Sequence, residues 1–272
     1  MNGVGIYYDI NGLEDKTPMF FTGHGRKSWM WQITYFSEYF KVVTHDRRGT
    51  GFSDDPPGDW TIKDYVEDVR GLMDHLGIEK AIVGGHSLGG AISCLFGLDY
   101  PDRVLGLIFS GQVYYWDRFV NEWADRQIEE GAGITYQPRS FDWEEHGPPT
   151  ANPEFTSSKL GSYFGKVMRE AGGWRSPEQR RANAVNMVKS LKGWDMRPRA
   201  EELKALGEKV PVLIMFGGFE SQVGIPLAYE WHKAIPNSEF IINQGCYHAC
   251  PRDDPELWND RVMGFLKRNE LI

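Results

Sequence analysis

Ala81-Ile82-Val83-Gly84-Gly85-His86-Ser87-Leu88-Gly89-Gly90 is the stretch whose reading decides the fold. A β-forming apolar run leads into glycines around one serine, and residues 88–99 beyond are small and apolar enough for a helix. A strand-to-helix turn this tight leaves no room for side chains at 85 and 89. Gly85-His86-Ser87-Leu88-Gly89 therefore reads as a G-x-S-x-G elbow that lifts the Ser87 hydroxyl above the sheet edge in a strained conformation. The start of the following helix adds positive partial charge beside it. The bland reading is a plain turn, because Gly and Ser are common in turns; a strand before and a helix after favour the elbow.

Outward from the elbow, short β-rich runs alternate with helical patterns. Residues 19–22, 41–44, 81–83, 104–109, 210–216 and 239–242 read as strands, and 29–40, 61–76, 88–99, 226–234 and 254–268 as helices. In the second of these helices, Ile62, Tyr65, Val66, Val69, Leu72, Met73 and Leu76 share one stripe. Continuous apolar strands separated by helices predict an α/β fold: a mostly parallel central sheet with helices on both faces. The rhythm stops between Val113 and Pro198, with a loose proline-bearing stretch at 137–154. One helix there is expected to start at Ser176, with Pro177 in first position and Gln179 completing a capping box. The expected organisation is a core of residues 1–112 and 199–272 with a helical cap inserted at 113–198. The insertion would pass over the C-terminal edge of the sheet, where open α/β folds bind ligands.

Composition bounds the rest. The 272 residues carry 30 Lys+Arg against 38 Asp+Glu, and the net charge of −8 argues against nucleic acid as a partner. An apolar fraction of 41% is enough for a substantial core. The three cysteines, Cys94, Cys246 and Cys250, cannot all pair within the chain and show no Cys-x-x-Cys spacing. That is a reduced-compartment pattern. No secretory signal and no stretch of membrane-spanning length is visible, so a cytoplasmic protein without membrane partners is expected. No G-x-G-x-x-G, P-loop or H-E-x-x-H string occurs, so the expected chemistry needs neither cofactor nor metal. Nothing sets the oligomeric state; a monomer and a homodimer both fit.

A serine needs a base to take its proton. Of seven histidines, His86 lies inside the elbow, His75 and His232 fall in helix patterns, and His146 lies in the loose insertion. His248 follows the last strand, in a loop that returns to the Ser87 edge, and is the candidate base. A carboxylate should orient it. Glu220 is the only one in the loop after the 210–216 strand, and it gives the chain order serine, acid, histidine. The alternative is that Glu220 is a solvated loop residue. The rival position, after strand 104–109, carries Ser110, Gly111 and Gln112, none of them acidic.

Four motifs in this order resemble the α/β-hydrolase superfamily, in particular its small members with a helical cap: Gly23-His24-Gly25-Arg26, Asp46-Arg47-Arg48-Gly49-Thr50-Gly51-Phe52-Ser53, the elbow, and Gly245–His248 with Asp254-Pro255-Glu256. The resemblance implies an oxyanion hole formed by the backbone N–H groups of Arg26 and Leu88. It makes the 46–53 turn structural, with Asp46 and Arg47 bonding neighbouring loops. It also sets aside the dehalogenase and epoxide-hydrolase branches, which carry Asp at the position of Ser87. The chain departs from the family in having Glu at 220 where Asp is usual, Tyr247 for a common Gly, and Arg26 for an apolar residue. The Arg26 guanidinium would reach a substrate carboxylate or point to solvent.

Trp116, Phe119, Val120 and Trp123 fall on one stripe and either bury the cap against the core or line an apolar pocket. Trp29 and His86 are further pocket candidates, and Cys246 and Cys250 are expected as small buried fillers. The function expected is a serine hydrolase of carboxylic esters or lactones, with a small apolar or cyclic substrate, working through an acyl-enzyme. Hydrolysis of a C–C or amide bond by the same triad, or a receptor that kept the fold without turnover, are the alternatives.

Overall fold

The computed structural model describes residues 3–131, 151–171, 174–220 and 225–272. His146 of the insertion lies outside the described residues, as does most of the 137–154 stretch.

Seven strands form one sheet: β1 (Tyr8–Asn11), β2 (Pro18–Thr22), β3 (Lys41–His45), β4 (Ala81–His86), β5 (Val104–Ser110), β6 (Val212–Gly217) and β7 (Glu239–Asn243). Their spatial order is β1-β3-β2-β4-β5-β6-β7. The pair β1–β3 is antiparallel and every other pair is parallel. The six expected strands are all present. β1 was not anticipated: it is an edge strand of four half-buried residues in which polar and apolar types mix. The Asn11-Gly12 turn that follows it was the available signal. β6 begins at Val212 rather than 210, because Pro211 has no N–H to give to the ladder; its carbonyl accepts from Leu107 N–H (2.9 Å) instead.

Period-two alternation splits the strands between two cores. Phe20, Val43, Val83, Leu107, Phe109, Ile214 and Phe216 face one side. There they meet α2 (Ile62–His75), whose predicted stripe is buried, and α3 (Leu88–Asp99). Met19, Phe21, Val42, Ile82, Ile108, Leu213 and Met215 face the other, against α1 (Met30–Phe36) and the C-terminal helix Pro255–Arg268. Both sheet faces are covered, as a parallel sheet requires.

Between β5 and β6 the chain forms α4 (Arg118–Glu129), α5 (Pro153–Ser157), α6 (Lys159–Ala171), α7 (Pro177–Leu191) and α8 (Ala200–Lys209). The α7 capping box is present: Ser176 N–H donates to Gln179 Oε1 (2.9 Å) and Gln179 N–H to Ser176 Oγ (3.2 Å). The excursion is tied at its base. Trp116 N–H donates to Trp194 O (2.7 Å), Met196 N–H donates to Tyr114 O (3.0 Å), and Tyr115 bridges Asp195. Trp116 and Trp194 are buried in the core beneath this clasp. α8, not anticipated, packs Leu203 and Leu206 onto the first core. α9 (Ile225–Ala234) follows β6, and α10 (Cys250–Asp253) and α11 (Pro255–Arg268) close the chain. Among the described residues no helix is long and apolar enough to cross a membrane.

Ile214 is fully buried at the centre of β6. Ile214→Ala is expected to cost about 2–5 kcal/mol of unfolding free energy, read from the urea midpoint. A shift worth under about 1 kcal/mol would mean that this face is not the packed core described.

Candidate active site

Parallel pairing brings the key loops to one edge of the sheet. Thr22 pairs with Gly85, His86 with Ser110, and Gly217 with Asn243. The loops after β2, β4, β5, β6 and β7 therefore all leave from the same side.

Ser87 sits between β4 and α3 with φ 55° and ψ −117°, a conformation L-residues rarely adopt. Its N–H donates to Ser110 O (2.7 Å), and its carbonyl accepts from Gly90 N–H (2.9 Å). A Cβ at Gly85 would collide with the Gly89 backbone, and one at Gly89 would collide with Thr22 O. The glycines at 85 and 89 are there for this close approach. Leu88 is the first residue of α3, so its N–H has no acceptor within the helix.

His248 Nδ1 lies 2.8 and 3.0 Å from the two Glu220 carboxylate oxygens. Glu220 is buried (8% exposed), as is His248; the solvated-loop alternative does not describe it. Backbone bonds zip the two loops together: Phe219 N–H donates to Cys246 O (2.9 Å) and Gly218 N–H to Asn243 O (2.8 Å). Asp253 accepts from Tyr247 N–H (2.9 Å) and, from the helical insertion, Asn152 N–H (3.0 Å). Burial raises the Asp253 pKa, against the opposing effect of these bonds. Cys246 and Cys250 are free thiols buried in the second core, as expected of small fillers. Asp254 of the Asp-Pro-Glu string caps α11, accepting from Leu257 N–H (3.0 Å).

The His86 ring lies 4.9 Å from the His248 ring, centroid to centroid, and 6.3 Å from that of His24. Its Nδ1 is 3.2 Å from Ser110 Oγ. Gly111 (φ 63°) makes room for both rings: a Cβ there would meet His86 and come within 3.4 Å of His248 Cε1. Burial, then the fields of His248 and His24, push the His86 pKa well down. The His24 ring, beside that of His86, reaches solvent. Desolvation and then the charges of Arg47, His248 and Arg252 lower its pKa to about 3.

Several sequence expectations are corrected here. The Arg26 N–H does not face an open site, because it donates to Asp46 Oδ1 (3.1 Å). The Arg26 guanidinium reaches neither substrate nor solvent: Nε bonds Asp46 (3.2 Å) and Nη1 bonds Asp9 (2.6 Å). The β2 loop residue packed on the elbow is instead Gly23 (φ 124°). A Cβ on it would lie 3.1 Å from His86 O and 3.2 Å from Gly89 N. Trp29 is no pocket residue; it is 3% exposed and stacks on Phe21 at 4.7 Å in the second core. Trp116 belongs to the first core, and Trp123 packs partly buried against it. Within the 46–53 turn, Asp46 does bond neighbouring loops. Arg48 does so too, bonding Asp68 (2.7 Å) and Asp64 (3.2 Å), whereas Arg47 does not. Asp253, Ser110, Gly111 and His24 were not assigned from sequence. Ser110 and Gly111 had a usable signal, since they end a strand beside the elbow strand.

A family model described as alpha/beta hydrolase fold matches residues 20–251, and the chain belongs to that family. Curated relatives include "Putative carbamate hydrolase RutD" of Agrobacterium fabrum, 26% identical over 96% of this chain and 98% of that protein. "Epoxide hydrolase 1" of Caenorhabditis elegans is 24% identical over 97% of this chain and 68% of its own. Among solved structures, the enol-lactonase from Burkholderia xenovorans superposes with a TM-score of 0.79 at 20% identity, over 98% of each chain. A thermophilic esterase from Thermogutta terrifontis gives 0.75 at 23% identity, over 98% of this chain and 94% of its own. The protein is a hydrolase of the α/β fold.

His45, at the end of β3, is buried, and desolvation lowers its pKa from 6.5 to about 4. The folded state disfavours the charged ring, so unfolding takes up a proton between those values and stability is lost as the pH is lowered through that window. Between pH 6 and 5, His45→Gln should flatten the pH dependence of the unfolding free energy by close to one proton, about 1.4 kcal/mol per pH unit. Urea titrations at the two pH values measure it; identical slopes in both proteins would contradict this.

Proposed function

We propose that the protein is a cofactor-free serine hydrolase that cleaves a carboxylic ester or lactone of a small molecule through an acyl-enzyme. The observation that carries this is the grip of the buried Glu220 carboxylate on His248 Nδ1, with the His248 ring against His86 and Ser87 next in the chain. With Nδ1 held, the remaining ring nitrogen is the one that can take a proton.

Ser87 attacks the carbonyl while His248 takes its proton, and Glu220 stabilises the imidazolium. His248 returns the proton to the leaving alkoxide, then activates water to release the acid. Negative charge on the tetrahedral oxygen falls to the N–H groups of Leu88 and His24. Leu88 N–H is free of the helix ladder, and His24 N–H follows the glycine packed on the elbow. Donors fixed before reaction are each worth roughly 3 kcal/mol. Residues 113–198 act as a cap over this edge, clasped at 114–116 and 194–196. Serine at the elbow favours ester or lactone chemistry over the epoxide opening named for the nematode relative. Three buried free thiols fit a cytoplasmic setting.

Wild type should react with a fluorophosphonate probe and turn over p-nitrophenyl butyrate, and Ser87→Ala should do neither. Glu220→Gln should lower kcat by roughly 10²–10⁴-fold, with the upper end set by loss of the correct histidine tautomer. Labelling of Ser87→Ala would remove the nucleophile assignment, and a Glu220→Gln rate equal to wild type would move the acid elsewhere.

A further inference from the structure

Four arginines among the described residues are buried: Arg26, Arg47, Arg48 and Arg175. Three of them hold carboxylates. Arg26 bonds Asp9 and Asp46, Arg48 bonds Asp64 and Asp68, and Arg175 bonds Asp55 at 3.0 Å. Arg47, 6% exposed, holds none. Its Nε and Nη1 are buried without a hydrogen-bond partner, and Nη2 reaches only the Met187 thioether at 3.7 Å. Its other neighbour is the Tyr65 ring, 5.9 Å from the guanidinium carbon, whose hydroxyl is likewise buried without a partner. Neither neighbour carries a counter-charge.

A guanidinium withdrawn from water without an anion is costly, and a buried polar group left unpaired calls for an explanation. Position supplies one. Arg47 follows β3 at the sheet edge that carries the catalytic loops, beneath α7, which contributes Met187. We propose that Arg47 is a specificity residue that binds a carboxylate carried by the substrate, so that this enzyme acts on anionic esters or lactones in preference to neutral ones. This deepens the ester or lactone reading and rests on it for the chemistry, though not for the binding. β2 and β3 are neighbouring parallel strands, so Arg47 and the His24 that follows β2 leave the same edge side by side, and the Arg47 charge helps to lower the His24 pKa. The planar fork of arginine matches a carboxylate in two parallel bonds, and an enclosed site strengthens them. Against a net charge of −8, a buried cation without a counter-charge is the more selective for an anion.

Two readouts test this. The first is the ratio of kcat/KM for anionic esters (mono-p-nitrophenyl glutarate and 4-carboxyphenyl butyrate, with the carboxylate on either side of the ester bond) to that for neutral p-nitrophenyl valerate and phenyl butyrate. Wild type should favour at least one anionic ester by roughly tenfold or more. Arg47→Gln should lower that ratio about tenfold, chiefly through KM, while Arg47→Lys retains part of it. The second is calorimetric titration of Ser87→Ala with glutarate and with its dimethyl ester. Glutarate alone should bind, and Ser87→Ala carrying Arg47→Gln should lose that binding. A wild-type ratio near one together with no glutarate binding overturns the proposal, as does a ratio unchanged in folded Arg47→Gln. If no ester is cleaved but glutarate binding depends on Arg47, the hydrolase reading fails and the anion site stands. If Arg47→Gln does not fold, Arg47→Lys and the wild-type titration decide.

Discussion

The site depends on how closely two backbones approach at the crest of the sheet. Gly85 and Gly89 let the strand turn into the helix within the width of a peptide, and Gly23 lets the β2 loop lie against that turn. Nothing larger than a hydrogen fits at these points. Ser87 is held at positive φ because both sides of the turn are fixed, by pairing to β2 and β5 below and by α3 above. Strain of this kind persists only where the surroundings over-determine it. The histidine and the acid are then delivered by loops that need only reach the same edge.

Charge is organised separately from shape. Around the 46–55 turn, arginines and aspartates are buried in pairs that join β3, α2 and the insertion. Such pairs add little net stability, but they are costly to break singly, so they fix the position of each segment. Asp46 alone accepts from the Arg26 N–H, the Arg26 side chain and the Phe52 N–H (3.1 Å). Against this background of matched charges, Arg47 is the exception.

Much of this was legible from the residues. Apolar runs marked the six strands β2 to β7, and the α2 stripe and the Ser176–Gln179 box marked two helices closely, because burial and capping leave a local imprint. Ser87, His248 and Glu220 could be picked out since each follows a strand and parallel pairing puts strand ends together. What could not be read was pairing at a distance. Arg26 looked like a free cation because Asp9 and Asp46 are 17 and 20 positions away in the chain. Trp29 looked like a pocket wall because nothing local says that Phe21 and Trp258 flank it. β1 was missed because an edge strand with one neighbour needs less apolar content than those inside.

Asp253 stands between the helical insertion and the loop after β7. One carboxylate oxygen holds the amide before His248, and the other holds an amide of the insertion. A displacement of the insertion that pulls on Asn152 is passed through a single rigid group to the backbone bearing the imidazole. A tie rod thus joins the insertion to the loop that carries His248, and the alignment of the two is one mechanical variable rather than two.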